Sequence, residues 1–443
     1  MIRLSGVSRK ELDDLLNASP RFPQYSILEE VIYFSRPDLM QEFYFFEKSS
    51  PQKMRDWLLT YGIHEYGLEK KLNKLETKRI SGSRNSYDFL GLLPDTSGIS
   101  FANKSLIKCL ENVDRLNQIS YIDLKSKSEE GNNSTCTEPP IRLGRNPVVL
   151  GFNANITKAA TNRLTKGFNN GEKIVGYWSW EIDKCPSEFL EGMKLVDEIW
   201  TVSNFCAETF SKYTKKRIEV IPNVIDKNTI KFSTRLKPLK KMNYPYVLFI
   251  FDFDSCFERK NPIDLIKVYN IAANKSGVKL VIKTSNHLKH LSQYKKLIAY
   301  ATRNKNIVII ERDLNDKDLM SLIKHAFIYA SLHRAEGFGL TMAQAMFLGI
   351  PCMATNYSGN LDFMNSDNSL LVDYKKIRIT DKAHKIYYDS KGEWAQPDLN
   401  DSIDKMRSLL FNSDLRQRLA LNAKDYLNVN FNLEKISSLI KNK

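Results

Sequence analysis

Between Tyr329 and Tyr374 the chain reads YASLHRAEGFGLTMAQAMFLGIPCMATNYSGNLDFMNSDNSLLVDY, and this stretch concentrates its chemistry. Glu336 precedes two glycines, Gly337 and Gly339, and Gln344 follows Glu336 at a spacing of eight. A carboxylate in a loop accepts hydrogen bonds from sugar hydroxyls. A carboxamide both donates and accepts, as the two hydroxyls of a ribose require. Two glycines at the start of a helix let backbone N–H groups approach a ligand closely. The helix dipole there suits a phosphate or a sugar oxygen. Ser358 to Asn360 supply a second small-residue loop after the next strand.

These residues need elements to hold them. FIYASL reads as a buried strand and LTMAQAMFL as a short helix closed by Gly349, with Pro351 beyond it. IPCMAT is the next strand, so the segment is one βαβ unit with its glycine loop at a strand's carboxyl end. Upstream, YVLFIFDFD is a strand followed by FERKNP, which carries Arg259 and Lys260. KLVIKTS ends in Lys283 and Thr284, and Asn315 stands as N-cap of the helix LNDKDLMSLIKHA. Earlier, GYWSWEID follows a strand and presents Trp178, Trp180 and Glu181, and Ser97 to Ile99 form a strand-to-helix loop around Gly98. Trp178 has a face that could stack on a sugar. His333, after a buried strand, reads as structural.

Strands alternating with helices imply parallel sheets covered on both faces. The organisation predicted is a helical N-terminal extension over 1–85, a Rossmann-like domain over 86–230, a second over 245–425 and a helical tail over 426–443. The fold class is α/β, with two doubly wound domains facing a cleft at the carboxyl ends of their strands, where such sheets bind ligands.

Composition bounds the rest. The 443 residues carry 66 Lys+Arg against 51 Asp+Glu, a formal charge of +15, which admits an anionic partner. The charge alone would allow nucleic acid, but no nucleic-acid motif accompanies it, so none is expected. Six cysteines lie scattered without a C-x-x-C pair, so neither a disulfide framework nor a zinc site is expected. No run reaches the ~18–20 apolar residues of a spanning helix. The first residues, MIRLSGVSRKELDD, lack a secretory pattern, and a cytoplasmic location is expected. Asp252-Phe253-Asp254 has the form of a metal-binding D-x-D, but a three-residue match is common by chance.

The segment from Glu336 resembles the nucleotide-sugar signature of retaining GT-B glycosyltransferases, and is most similar to family 4. That family carries E-G-F-G-L-x-x-x-E-A-M-A-x-G-x-P, matched here at Glu336, Gly337, Phe338, Gly339, Leu340, Ala345, Met346, Gly349 and Pro351. The resemblance extends through FDFDSCFERKNP, VIKTS and Pro222 to Val224. It implies that Glu336 meets the donor sugar and that Arg259 and Lys260 neutralise the donor diphosphate. It also implies that Gly337, Phe338, Gly339, Leu340, Lys283 and Thr284 line the donor site, with Gly98, Trp178 and Glu181 toward the acceptor. The family's second Glu is here Gln344, which keeps hydrogen bonding and loses charge. The resemblance further implies a hexose donor linked to GDP, UDP or dTDP, and a glycan or lipid-diphosphate acceptor in surface polysaccharide assembly. It implies transfer with no metal or cofactor. Its placement of D-x-D at the start of a GT-B second domain makes Asp252 and Asp254 structural. An anionic membrane face carrying the acceptor is the expected partner of basic clusters such as Lys212 to Arg217. An inactive binding subunit is the alternative that Gln344 keeps open.

Overall fold

Most of the short apolar runs fold as strands buried on both faces, while the edge strands are partly exposed. A computed structural model describes residues 86–93, 97–121, 146–157, 173–228, 230, 244–312, 314–380 and 384–441. The predicted extension over 1–85, the polar loop after Leu124 and most of the linker before Tyr244 lie outside the described residues.

In the first domain β1 (Tyr87–Gly91), β2 (Leu116–Tyr121), β3 (Val148–Gly151), β4 (Ile174–Trp178), β5 (Glu198–Thr201) and β6 (Arg217–Val220) form one parallel sheet, ordered β2-β1-β3-β4-β5-β6. Its helices are α1 (Gly98–Asn112), α2 (Ser187–Lys194) and α3 (Asn204–Ser211). The strand order reverses between β1 and β3, the place where a doubly wound sheet opens a crevice. Ser97 caps α1 by accepting the Ser100 N–H at 3.2 Å, and Ser203 caps α3 by accepting the Cys206 N–H at 3.3 Å.

The second domain repeats the plan. Strands β7 (Tyr246–Asp252), β8 (Lys279–Ser285), β9 (Ile307–Ile310), β10 (Ile328–Ser331), β11 (Cys352–Thr355) and β12 (Leu370–Val372) form a parallel sheet ordered β12-β11-β10-β7-β8-β9. Around it lie α4 (Phe257–Lys260), α5 (Pro262–Ala272), α6 (Leu291–Ala301), α7 (Asp316–Lys324) and α8 (Leu340–Phe347). Asn315 caps α7 through the Asp318 N–H at 2.9 Å, as its sequence position implies. Gly349 ends α8 at φ +75°, a value costly for any side chain.

Two features depart from the expected plan. After the sheet, β13 (Tyr374–Arg378) and β14 (Glu393–Pro397) pair antiparallel around the short helix α9 (Lys385–Asp389). Then α10 (Leu399–Phe411), α11 (Ser413–Asn430) and α12 (Leu433–Lys441) close the chain. The tail was expected to begin at residue 426, but α11 runs through that point to Asn430. The chain then returns to the first domain: the Ile225 N–H donates to the Phe431 carbonyl at 2.7 Å, and Arg115 Nη1 to the Ile440 carbonyl at 3.3 Å. The apolar face of α12 is satisfied there against α1.

Candidate active site

The loop after β10 is built by backbone closeness. The Glu336 N–H donates to Ser358 Oγ at 2.8 Å, and the Gly359 N–H donates back to the Glu336 carbonyl at 2.9 Å. A Cβ on Gly359 would lie 2.1 Å from the Gly337 carbonyl oxygen, so this approach requires glycine. Ser358 holds φ +77°, unusual for a residue with a side chain, and its hydroxyl donates to the Tyr357 carbonyl at 2.5 Å. Gly339, at φ +94°, starts α8. His333 lies fully buried beneath the loop, within hydrogen-bond range of Ser331, Asn360 and the Tyr357 carbonyl. Burial lowers its proton affinity, so it braces the loop as a structural residue.

Arg259 and Lys260 reach this loop from α4. Two positive-φ residues, Cys256 at 71° and Asn261 at 55°, bracket the helix and turn it back under β10. The Asn261 side chain donates to the Leu332 carbonyl at 2.9 Å. Arg259 Nη1 donates to the Ala335 carbonyl at 2.7 Å and to Glu336 Oε2 at 3.2 Å, and Nη2 donates to the Ser255 carbonyl at 2.9 Å. Lys260 Nζ donates to Glu336 Oε1 at 2.5 Å. Burial by itself would push the Glu336 carboxyl up, but Lys260 and Arg259 together draw it down to about 2. Burial lowers Lys260, with Glu336 opposing it.

The first domain closes over these groups. Glu181 Oε1 lies 3.7 Å from Arg259 Nη2. The Tyr387 hydroxyl, carried by α9, donates to Glu181 Oε2 at 3.2 Å, and the Tyr387 ring lies 5.9 Å from the Arg259 guanidinium carbon. Burial, then Glu181, pushes the Tyr387 hydroxyl well above its ordinary range, so it is a donor throughout. Ser203 Oγ donates to the Gly337 carbonyl at 2.5 Å, and the Asn204 N–H donates to Asp362 Oδ2 at 2.9 Å. The start of α3 is thereby fixed to the signature loop.

The residues singled out from sequence divide accordingly. Glu336, Arg259, Lys260 and Glu181 come together. Gly337 and Gly339 shape the loop, and Gln344 lies on α8, 5% exposed. Lys283 and Thr284 lie buried at the end of β8, where Lys283 Nζ donates to the Thr284 carbonyl at 2.6 Å. Thr284 Oγ1 is buried without a partner. Gly98 is the exposed first residue of α1. Leu340 packs its side chain against the core.

Two expectations are corrected. Trp178 does not offer a face to a sugar: it is 1% exposed, folded over Gly176 and set edge-on to Phe210 with ring centroids 6.1 Å apart. Phe338 packs on Phe363 and Phe431, at 5.1 and 6.1 Å between centroids, instead of lining the donor site. Both rings gain more from the core than from a wet cleft.

Asp252 and Asp254 hold loops. Asp252 accepts the Asp254 N–H, Ser285 Oγ and Asn286 Nδ2, and Asp254 pairs with Lys289 and His290. Among the described residues, no group of three His, Cys, Asp or Glu side chains is placed to hold a metal ion. Sequence reasoning missed Tyr387 and Ser203. Ser203 was legible as an N-cap in VSNFCAET, whereas nothing around Tyr387 marks it.

Two facing parallel-sheet domains, with this loop on the cleft edge of the second, define the fold class: the two-domain GT-B type. Within that class, residues 231–426 match the family model described as Glycosyl transferases group 1. A putative glycosyltransferase, ORF313 of Acidianus filamentous virus 1, is 24% identical over 201 residues, a match spanning 44% of this chain and 57% of that protein. Among solved structures, Anabaena HepE, crystallised with UDP and glucose, superposes with a TM-score of 0.58 at 13% identity, covering 81% of this chain and 98% of that one. Sucrose-phosphate synthase from Thermosynechococcus elongatus gives 0.55 at 12% identity, over 81% and 98% of the two chains.

Proposed function

We propose that this protein transfers a hexose from a nucleoside diphosphate sugar to an acceptor hydroxyl with retention. One observation carries the reading: two cations, Arg259 and Lys260, converge on Glu336 at the carboxyl edge of the second sheet, inside the interdomain cleft. Arg259 Nε is buried without a partner, a donor left open at the point where a diphosphate would lie. Arg259 and Lys260 neutralise the leaving diphosphate, a charge-assisted contact that strengthens as the glycosidic bond breaks. Glu336 accepts from the sugar hydroxyls beside the Gly337–Gly339 backbone, and Gln344 meets the ribose. Lys283 and Thr284 border the nucleotide, and the acceptor enters past Gly98 and Glu181. In the transfer step the bond from the anomeric carbon to the phosphate oxygen breaks while the acceptor oxygen bonds to the same face. The acceptor's proton passes to the departing phosphate.

In this reading Arg259 and Lys260 hold the diphosphate without a metal, and the engagement of Asp252 and Asp254 with their own loops supports it. The acceptor is a glycan or lipid-diphosphate-linked saccharide of surface polysaccharide assembly, and the protein works in the cytoplasm against an anionic membrane face. No helix among the described residues is long and apolar enough to cross a membrane. The donor being UDP-linked draws support from HepE, which was solved with UDP and glucose; GDP- and dTDP-sugars are the alternatives. A thermal-shift panel of the three donor types, followed by NMR of the product's anomeric configuration, tests this. Stabilisation by none of them refutes the reading, and an inverted product refutes retention.

Gln344 supports a second reading, a glycosyltransferase-like subunit that binds donor without turning it over. Its side chain is neutral where the resemblance calls for a carboxylate. Donor binding without transfer to any acceptor would favour it.

A further inference from the structure

Arg259 is approached by two carboxylates, one from each domain. Glu336 Oε2 lies 3.2 Å from Nη1 and belongs to the same domain, where Lys260 also grips it at 2.5 Å. Glu181 Oε1 lies 3.7 Å from Nη2 and comes from the first domain, where among the described residues the Tyr387 hydroxyl alone holds it otherwise, at 3.2 Å. The four charges of Arg259, Lys260, Glu336 and Glu181 cancel. Within this cluster an entering diphosphate therefore meets no net positive charge until one carboxylate gives way. Glu336 is bound by two cations and fixed by the loop backbone, so the looser and more exposed Glu181 is the group that yields. Its side chain is 22% exposed against 11% for Glu336.

We infer that Glu181 is a counter-anion that competes with the diphosphate for Arg259 and thereby speeds release of the nucleoside diphosphate product. The inference rests on the proposed role of Arg259 as a diphosphate ligand. Glu181 and Arg259 sit on different domains, so the competition operates only while the cleft is closed. In that state, once the sugar has left, the diphosphate is the group to be expelled. Glu181 is thus a positioning and release residue with a direction of effect opposite to that of a simple ligand.

Isothermal titration of UDP, GDP and dTDP into the full chain tests it, with Glu181→Gln and Glu181→Asp compared to wild type. Removing one partly screened unit charge beside Arg259 should tighten nucleoside diphosphate binding about tenfold. Glu181→Asp, which draws the carboxylate back, should tighten it less. Product inhibition should deepen and turnover fall in the same order. A misfolded variant would bind more weakly, so a gain in affinity reports the charge effect directly. Unchanged or weaker binding by a Glu181→Gln variant that keeps the wild-type Tm, where wild type binds, overturns the inference alone. Binding of none of the three by wild type overturns the donor reading, and this inference with it.

Discussion

Gly359→Ala is the sharpest test of how the signature loop is built. The added Cβ would stand 2.1 Å from the Gly337 carbonyl oxygen, 2.5 Å from its carbon and 2.9 Å from the Glu336 carbonyl oxygen. Ordinary contact begins near 3.4 Å, so along the closest line the backbone must separate by 3.4 − 2.1 = 1.3 Å. The obstruction is backbone on both sides, so no side chain can rotate to relieve it. The loop cannot retreat freely either. The Gly337 carbonyl accepts from Ser203 Oγ, and the Glu336 carboxylate is gripped by Lys260 and Arg259. Overpacking of this kind costs about 1–3 kcal/mol. For a domain of this size that is a loss of several degrees in Tm. A displacement of about 1 Å in a donor-positioning group lowers turnover on the order of 10²-fold. Differential scanning fluorimetry and a donor-turnover assay measure the two effects. Gly98→Ala provides the contrast, since nothing lies within 4 Å of its Cβ. As the first residue of α1 it should gain about 0.4–1 kcal/mol through a less flexible unfolded chain. A Gly359→Ala variant with wild-type Tm and turnover would refute the close approach and the loop geometry derived from it.

Other outcomes follow from the same geometry. Gln344→Glu should tighten donor binding about fivefold, because a charge-assisted bond to the ribose is worth about 1 kcal/mol more than a neutral one; an unchanged donor KM would remove Gln344 from the site. Glu336→Gln should cost about 3–5 kcal/mol in urea unfolding at neutral pH, since it leaves two buried cations short of an anion. The Glu336 carboxyl sits below its unfolded value, moving from 4.5 to about 2, so its contribution of about 3 kcal/mol is present above pH ~4.5 and disappears as pH falls toward 2. The stability gap between wild type and Glu336→Gln should therefore narrow over that window, and a gap constant with pH would contradict the ion pairing. Ser203→Ala removes both the α3 cap and the bond to Gly337 and should cost about 1–3 kcal/mol by the same measurement. A chelator should leave turnover unchanged; loss of activity would reassign Asp252 and Asp254 as metal ligands.

Alternating apolar runs and helical patterns were enough to read two doubly wound domains, because buried parallel strands must be apolar on both faces and their helices must cover them. The signature loop was legible for a related reason. A carboxylate beside two glycines at a helix start has few structural uses, and Gly349 and Asn315 mark helix ends by local backbone chemistry alone. Local chemistry also placed the cations of FERKNP next to a strand end. Aromatic residues resisted the same treatment. A sequence shows that the Trp178 ring is present, not which face of its strand packs inward, and the resemblance that implies Phe338 at the donor site carries no packing direction either.

Tertiary structure decided everything that depends on chain segments far apart in sequence. Tyr387 lies 206 residues from Glu181, on a helix within an antiparallel ribbon that no local pattern announces. The bond from Ser203 to Gly337 spans 134 residues and joins the two domains. The sequence by itself determined which groups could carry charge at the cleft: Arg259, Lys260, Glu336 and Glu181. Only the folded chain decided that the four neutralise one another in one place between the domains, because Coulomb energy depends on distance and desolvation, and both are set by packing between domains.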